Sequence, residues 1–258
     1  MAQLTKFKAY EVKKIINHNL RIRSTTNKDI DFSRTHLNYS LTPDRGMTDY
    51  EYYKQRLSEV YVFNRKDVVT AASWVVSLPD GVDDPETQRR FFEETYAFFR
   101  KRYGEENICQ AIVHRDEYRK VAQYDRWSNQ RVRDEYGNMV TQTIGKDHLH
   151  LLFLPVVPDP KPEHWELGKT ERVNASVLLT KSELSAAQSD LMQHLVDHGL
   201  SECRVITGKS PKSYLSVEQL KRFTDMEQEI FALREQNTIL QDRLREVDRD
   251  REERRGRW

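Results

Sequence analysis

Apolar positions change their period along this chain, and each change marks an expected element. Leu4 to Phe7 is a brief alternating run that predicts a short first strand. Val12, Ile15, Ile16 and Asn19 then recur at helical spacing, with His18 at the edge of their face. After a polar stretch, His36-Leu37-Asn38-Tyr39-Ser40-Leu41 alternates like a strand, with Leu37, Tyr39 and Leu41 on one face. Tyr50 to Asn64 reads as a helix with a basic exterior. The nearly unbroken apolar run from Val68 to Leu78 stops before Pro79 and fits a central strand. Asp84, Pro85 and Glu86 then supply an N-cap, a first helical position and an acidic first turn. Phe91, Phe92, Thr95, Phe98 and Phe99 give that helix one apolar face, and Gly104 can end it as a left-handed C-cap. Ile108 to His114 follows as a strand, and Asp147 to Leu154 as another.

Beyond these strands, Pro155, Pro158, Pro160 and Pro162 mark an extended, stiff excursion. Thr180 and Glu183 have the spacing of a capping box, opening a helix through Leu184, Ala187, Leu191 and Leu195 that stops at Gly199. His194 and His198 lie on this helix, where they read as structural residues or partners of its C-terminal dipole. From Phe223 the pattern becomes heptad: Phe223, Met226, Ile230, Leu233, Asn237, Leu240, Leu244 and Val247 are spaced by three and four. Asn237 falls at an a position, which favours a two-stranded partner in register, so residues 223–247 are expected to form a homodimeric coiled coil. A single solvated helix packed on its own domain is the alternative. The expected organisation is a domain over 1–205 carrying an insert at 118–146, a linker at 206–222, and a coiled-coil helix with a charged tail at 223–258.

Composition narrows the functional classes. The chain has 258 residues, of which 32% are charged and 37% apolar, so a sizeable part is expected outside the core. A net charge of +1 argues against uniform electrostatic attachment to nucleic acid and leaves room for a local basic patch. Two cysteines, Cys109 and Cys203, cannot make a disulfide framework. No apolar run reaches membrane-spanning length and the N-terminus lacks a signal-peptide core, so the expected compartment is the cytoplasm.

Chemistry concentrates at His148-Leu149-His150. Residues two apart on a strand share a face, so the two imidazoles point together while Leu149, Leu151 and Phe153 point away. Should the strand ending at His114 pair with this one antiparallel, a third imidazole joins them, and three neutral imidazoles can hold a divalent cation with open positions. Glu117 is then expected as a carboxylate orienting a ligating imidazole, whereas Asp116 reads as a surface residue at the strand end. The segment from Asn17 to Arg34 and on to Asn38 is rich in arginine and short amides. Asn19, Arg21, Arg23, Asn27, Arg34 and Asn38 are its candidates for contacting DNA phosphate and sugar, and a solvated loop fits the same composition. In the insert, Tyr118, Tyr124, Trp127 and Tyr136 are interleaved with Arg119, Lys120, Arg126, Arg131 and Arg133. That pattern fits single-stranded nucleic acid as well as a hairpin packing its own aromatics. Two side chains compete as nucleophile: Tyr39, whose alternation turns it toward the core, and His18.

Three groups of residues carry a family resemblance: Asn17-His18-Asn19-Leu20-Arg21; Asn27-Lys28-Asp29-Ile30 with Ser33-Arg34-Thr35-His36-Leu37-Asn38-Tyr39; and His114-Arg115-Asp116-Glu117 with His148-Leu149-His150. Together they resemble the three motifs of the Mob/Pre plasmid mobilisation relaxases, the MobV type, over roughly residues 1–205. The resemblance implies an HUH-type α/β (α+β) fold, an antiparallel sheet flanked by helices. It also implies strand-specific nicking and rejoining of DNA at a transfer origin, single-stranded or in hairpin form, with Mn2+ or Mg2+, and it points to His18 as the nucleophile. One departure stands out: a long insert separates Glu117 from His148, and Asp147 occupies a position where the family has proline. A replication or transposition nickase, or a non-catalytic DNA-binding dimer, are the competing readings.

Overall fold

In the computed structural model, residues 2–22, 29–125, 128, 130–161, 163, 168–203, 225–226, 228–243 and 245 are described. The opening strand β1 (Ala2–Lys8) runs into helix α1 (Ala9–Asn19). Strand β2 (Tyr39–Ser40), helix α2 (Asp49–Glu59), strand β3 (Val69–Ser77) and helix α3 (Pro85–Tyr103) follow. Strands β4 (Ile108–His114), β5 (Tyr118–Ala122), β6 (Thr141–Gly145) and β7 (His148–Phe153) come next. Strands β8 (Val156–Pro158) and β9 (Glu171–Val173) pair with each other, and helices α4 (Ala175–Leu178) and α5 (Lys181–Asp197) close the domain.

Five strands make one sheet in the order β1-β3-β7-β4-β2, each neighbouring pair antiparallel. Its two faces bury different sets, because alternate residues of a strand point to opposite sides. One set, Ala72, Trp74, Val76, Ala111, Val113, Leu149, Leu151 and Phe153, packs against α3 and α5. There Trp74 stacks on Phe99 at 5.4 Å and donates its indole N–H to the Tyr103 hydroxyl at 3.1 Å. The other set, with Ala71, Leu152 and Leu154, is covered by Val12 and Ile16 of α1 and Tyr53 of α2. Those two helices seal the Leu152–Leu154 end of this face, and the polar residues of β4 and β7 occupy the other end.

The expected elements at 68–78, 84–104, 108–114 and 147–154 form with shifts of a residue or two at their ends. Asp84 caps α3 by accepting from the Thr87 amide at 2.8 Å, and Gly104 ends it at φ 86°. Two expectations need correction. The stretch 36–41 is not a full strand, because Phe32–Leu37 winds into a 3-10 turn and only Tyr39–Ser40 joins the sheet. Its Thr35 and Asn38 side chains bond the Asp116 carboxylate at 3.0 and 2.8 Å, which bends the backbone out of an extended path and leaves Leu37 exposed. The helix expected to Asn64 ends at Glu59, since the Tyr61 amide turns to the Glu171 carbonyl at 2.8 Å.

The chain divides into two compact units, Met1–Tyr118 with Gly145–Thr207, and Arg119–Ile144 with Gly208–Trp258. In the second unit, Tyr124 of the insert stacks on Phe231 at 5.1 Å, and the Arg131 guanidinium pairs with Glu235 at 3.2 Å. Residues 228–243 are helical, and the expected linker at 206–222 lies outside the described residues. Among the described residues, no helix is long and apolar enough to cross a membrane.

Candidate metal centre and nucleophile

The antiparallel register of β4 and β7 sets His114 directly opposite His148 and Ile112 opposite His150. Directly opposed residues share a face, so all three imidazoles emerge on the α1 side. Their ring centroids are 4.6–5.3 Å apart. Backbone carbonyls fix which nitrogens are free. The Nε2 of His114 donates to the Asn19 carbonyl at 2.8 Å, and the Nδ1 of His148 donates to the Lys146 carbonyl at 2.8 Å. The opposite nitrogens therefore carry lone pairs, an arrangement that metal-binding histidines share. The buried Nδ1 of His114 has no hydrogen-bond partner among the described residues.

That orphaned nitrogen faces the Glu117 carboxylate at 3.7 Å, the second Glu117 oxygen lies 3.8 Å from His148 Nε2, and the Nε2 atoms of His148 and His150 approach to 3.1 Å. One ligand atom from each of His114, Glu117, His148 and His150 lies within 4.8 Å of the others. Neighbouring ligands of a cation with bonds of about 2.1 Å sit roughly 3 Å apart, so a modest contraction would seat an ion. Burial, with the Arg21 guanidinium nearby, pushes the His114 pKa down to about 3, and burial likewise drives His150 well below its ordinary value. Both rings are thus neutral at physiological pH, the form that binds metal. Burial alone would raise the Glu117 pKa, but the positive charge beside it, with the Arg21 guanidinium donating at 2.7 Å, outweighs burial and lowers it. Glu117 therefore stands among the candidate ligands as well as beside them, closer than its expected orienting role.

Arg21 links this cluster to His18. The residue follows α1 in the left-handed region at φ 56°, a conformation uncommon for a side chain of this size. Its Nε and Nη2 grip the Asp116 carboxylate at 3.0 and 2.8 Å, and Nη2 also reaches Glu117 at 2.7 Å. Its Nη1 donates to the His18 carbonyl at 3.1 Å and stands 3.5 Å from His18 Nε2. A guanidinium can only donate, so that last contact fits a His18 ring that accepts through Nε2. His18 is half-buried, on the same α1 turn as the Asn19 carbonyl that orients His114.

Several side chains expected to contact DNA make contacts within the protein. The Arg21 side chain, with 3% exposure, is occupied by two carboxylates and the His18 carbonyl and does not face an external phosphate. Asn19 is buried and donates to Gln110 at 2.7 Å. Arg34 donates to the Arg115 carbonyl at 3.1 Å and lies over the Tyr118 ring, and Asn38 bridges Asp116 and the Arg115 amide. Asp116 is no surface residue. It is fully buried, and although burial alone would raise its pKa, hydrogen bonds from Arg21 and Asn38 hold it at about 2. Arg23 and Asn27 lie outside the described residues. Tyr39 pairs with Val113 and packs on the α3 side, opposite the histidines, its phenol pushed up to about 12 by burial.

The insert leaves the cluster intact because its two ends are tied together. Tyr118 donates to Asp147, and Arg115 pairs with the same carboxylate at 2.7 Å. Gly145 passes so close that an added Cβ would sit 2.2 Å from the Glu117 carbonyl oxygen. Asp147, where proline was expected, is thus the anchor that returns the chain in register.

An antiparallel sheet with helices on both faces and a histidine cluster at the end of its central strands is the HUH-type architecture. The particular family within it is also shown: the chain belongs to the plasmid recombination enzymes, Mob_Pre, whose family model matches residues 1–222. A plasmid recombination enzyme of Streptococcus agalactiae is 29% identical over 236 residues, covering 88% of this chain and 40% of that protein. One from Bacillus sp is 40% identical over 128 residues, 45% of this chain and 30% of that protein. The chain therefore spans under half the length of these relatives. Among solved structures, the Mn-bound MobM relaxase domain with plasmid pMV158 oriT DNA superposes with a TM-score of 0.61 at 27% identity, covering 86% of this chain and 97% of that one.

Proposed function

We propose that this chain is a relaxase that nicks and rejoins one strand of DNA at a plasmid transfer origin, through a covalent link between His18 and the DNA. The observation that carries the reading is the run of contacts from His18 through Arg21 to Glu117 and His114, which joins a nucleophile candidate to a cation site. The MobM relaxase domain, similar across nearly its full length, is bound to oriT DNA and to Mn.

His114, His148, His150 and Glu117 would hold a divalent cation, which polarises the scissile phosphate and stabilises charge in the transition state when bound. Imidazole nitrogens are softer than the oxygens Mg2+ prefers, so Mn2+ suits this set better. The lone pair of a His18 nitrogen attacks the phosphorus in line with the leaving sugar oxygen. A nitrogen–phosphorus bond forms as the phosphorus–oxygen bond breaks, and the released sugar oxygen takes a proton. Rejoining is the reverse attack by that hydroxyl, which expels His18. Arg21 acts as a positioning residue: it holds the His18 carbonyl and orients Glu117.

A supercoiled plasmid carrying the transfer origin, incubated with the protein and Mn2+, is expected to give a nicked circle with protein attached to one DNA end. His18→Ala is expected to lose both nick and adduct while still shifting the oriT fragment on a gel. An adduct that survives in His18→Ala and disappears in Tyr39→Phe would reverse the assignment.

A further inference from the structure

A second cluster of ligand-type side chains lies on the face of the sheet away from His114, His148 and His150. His194 sits in the last turn of α5 and His198 at its C-cap, four residues apart and so on one side of the helix. Their rings are 4.0 Å apart between centroids, and Glu94 reaches them from the middle of α3. One Glu94 oxygen lies 3.0 Å from His194 Nε2 and 3.7 Å from His198 Nε2. One ligand atom from each of the three lies within 4.8 Å of the other two.

Ligands about 2.1 Å from a tetrahedral Zn2+ stand roughly 3.4 Å apart, and the two distances to Glu94 fall on either side of that value. The tautomer of His198 is already set: its Nδ1 donates to the His194 carbonyl at 2.7 Å, leaving Nε2 with a lone pair. Supporting contacts fix the frame, since Arg90 donates to the His198 carbonyl at 3.0 Å and the His194 ring lies against Phe98. His198 is 45% exposed at its side chain, so the cluster is open to an ion from solvent and to water in a remaining coordination position.

We propose that Glu94, His194 and His198 form a second metal site, for a Zn2+-class divalent transition metal, which clips the end of α5 to α3. Two imidazoles and one carboxylate select Zn2+, Ni2+ or Cu2+ over Mg2+ or Ca2+, whose shells are built from oxygen. The competing explanation is a plain histidine–glutamate ion pair that needs no metal.

The test is equilibrium dialysis of the full chain against Zn2+, counting bound metal in the wild type, Glu94→Gln and His198→Gln. The wild type is expected to hold one more equivalent than either variant, and the rise in its melting temperature on adding Zn2+ is expected to shrink in both. Because the difference between proteins is what is counted, the outcome does not depend on whether the other histidine cluster also takes Zn2+. The two substitutions lie on different helices at partly exposed positions, so misfolding of one leaves the other informative. Equal zinc content in wild type and variants overturns the proposal.

Discussion

At the scale of single residues, Asp116 organises more of the site than any ligand. Its carboxylate accepts from Arg21, just past α1, and from Thr35 and Asn38 of the 3-10 turn, two separate parts of the chain. Removing one partner of a buried ion pair leaves the other charge uncompensated and costs about 3–5 kcal/mol. Asp116→Asn is therefore expected to lower stability by about that amount in urea unfolding, and to release Arg21 from its left-handed conformation. Arg21→Lys tests the geometry separately. A lysine cannot grip Asp116 with two donors while reaching Glu117 and the His18 carbonyl, so nicking should fall roughly 10–100-fold, the range seen when partners behind a metal site are lost. Binding of oriT DNA should change far less. Equal nicking rates in wild type and Arg21→Lys would show that Arg21 does not position the reacting groups.

At the scale of elements, the two strands that carry the histidines were legible in the sequence, and the contacts around them were not. Period-two alternation and unbroken apolar runs are local signals, enough to put His148 and His150 on one face; the pairing that brings His114 opposite stood only as a condition until the sheet register supplied it. The burial of Asp116 has no local signal, because it depends on Arg21, 95 positions away. The internal partners of Asn19, Arg34 and Asn38 have no local signal for the same reason: composition names polar groups without saying whether a partner within the fold awaits them. The insert is a third case, since its length obscured a closure made by two residues, Asp147 and Gly145. Gly145 at φ 139° admits no side chain next to the Glu117 carbonyl. Gly145→Ala is expected to push the base of the insert apart and move His148, and Mn2+ binding measured by calorimetry should weaken. Unchanged Mn2+ affinity would mean that the β5–β6 closure is independent of the metal centre.

At the scale of the whole molecule, the C-terminal helix uses its two sides differently. Phe231, Ala232, Glu235 and Thr238 are half-buried, with Phe231 and Glu235 meeting the insert. With Asn237 at an a position, these four fall at b, c and f, the outer side of a coiled coil. The inner positions stay uncovered: Met226, Ile230, Leu233 and Leu240 are 59%, 45%, 57% and 63% exposed. In a parallel pair, isoleucine at a with leucine at d, as at Ile230 and Leu233, favours two strands. In such a pair the g position of one chain meets the following e position of its partner, matching Glu229 with Arg234. A second copy of this chain, in register, is the partner the heptad pattern leads one to expect. Light scattering on the purified protein is expected to give twice the chain mass, and Leu233→Glu with Leu240→Glu to halve it, since buried like charges at d cannot be paired. Because these substitutions lie away from the residues facing the insert, the Tyr124–Phe231 stack should survive in the monomer. A wild type that runs as a single chain at tens of micromolar would leave the exposed heptad without a partner of its own kind.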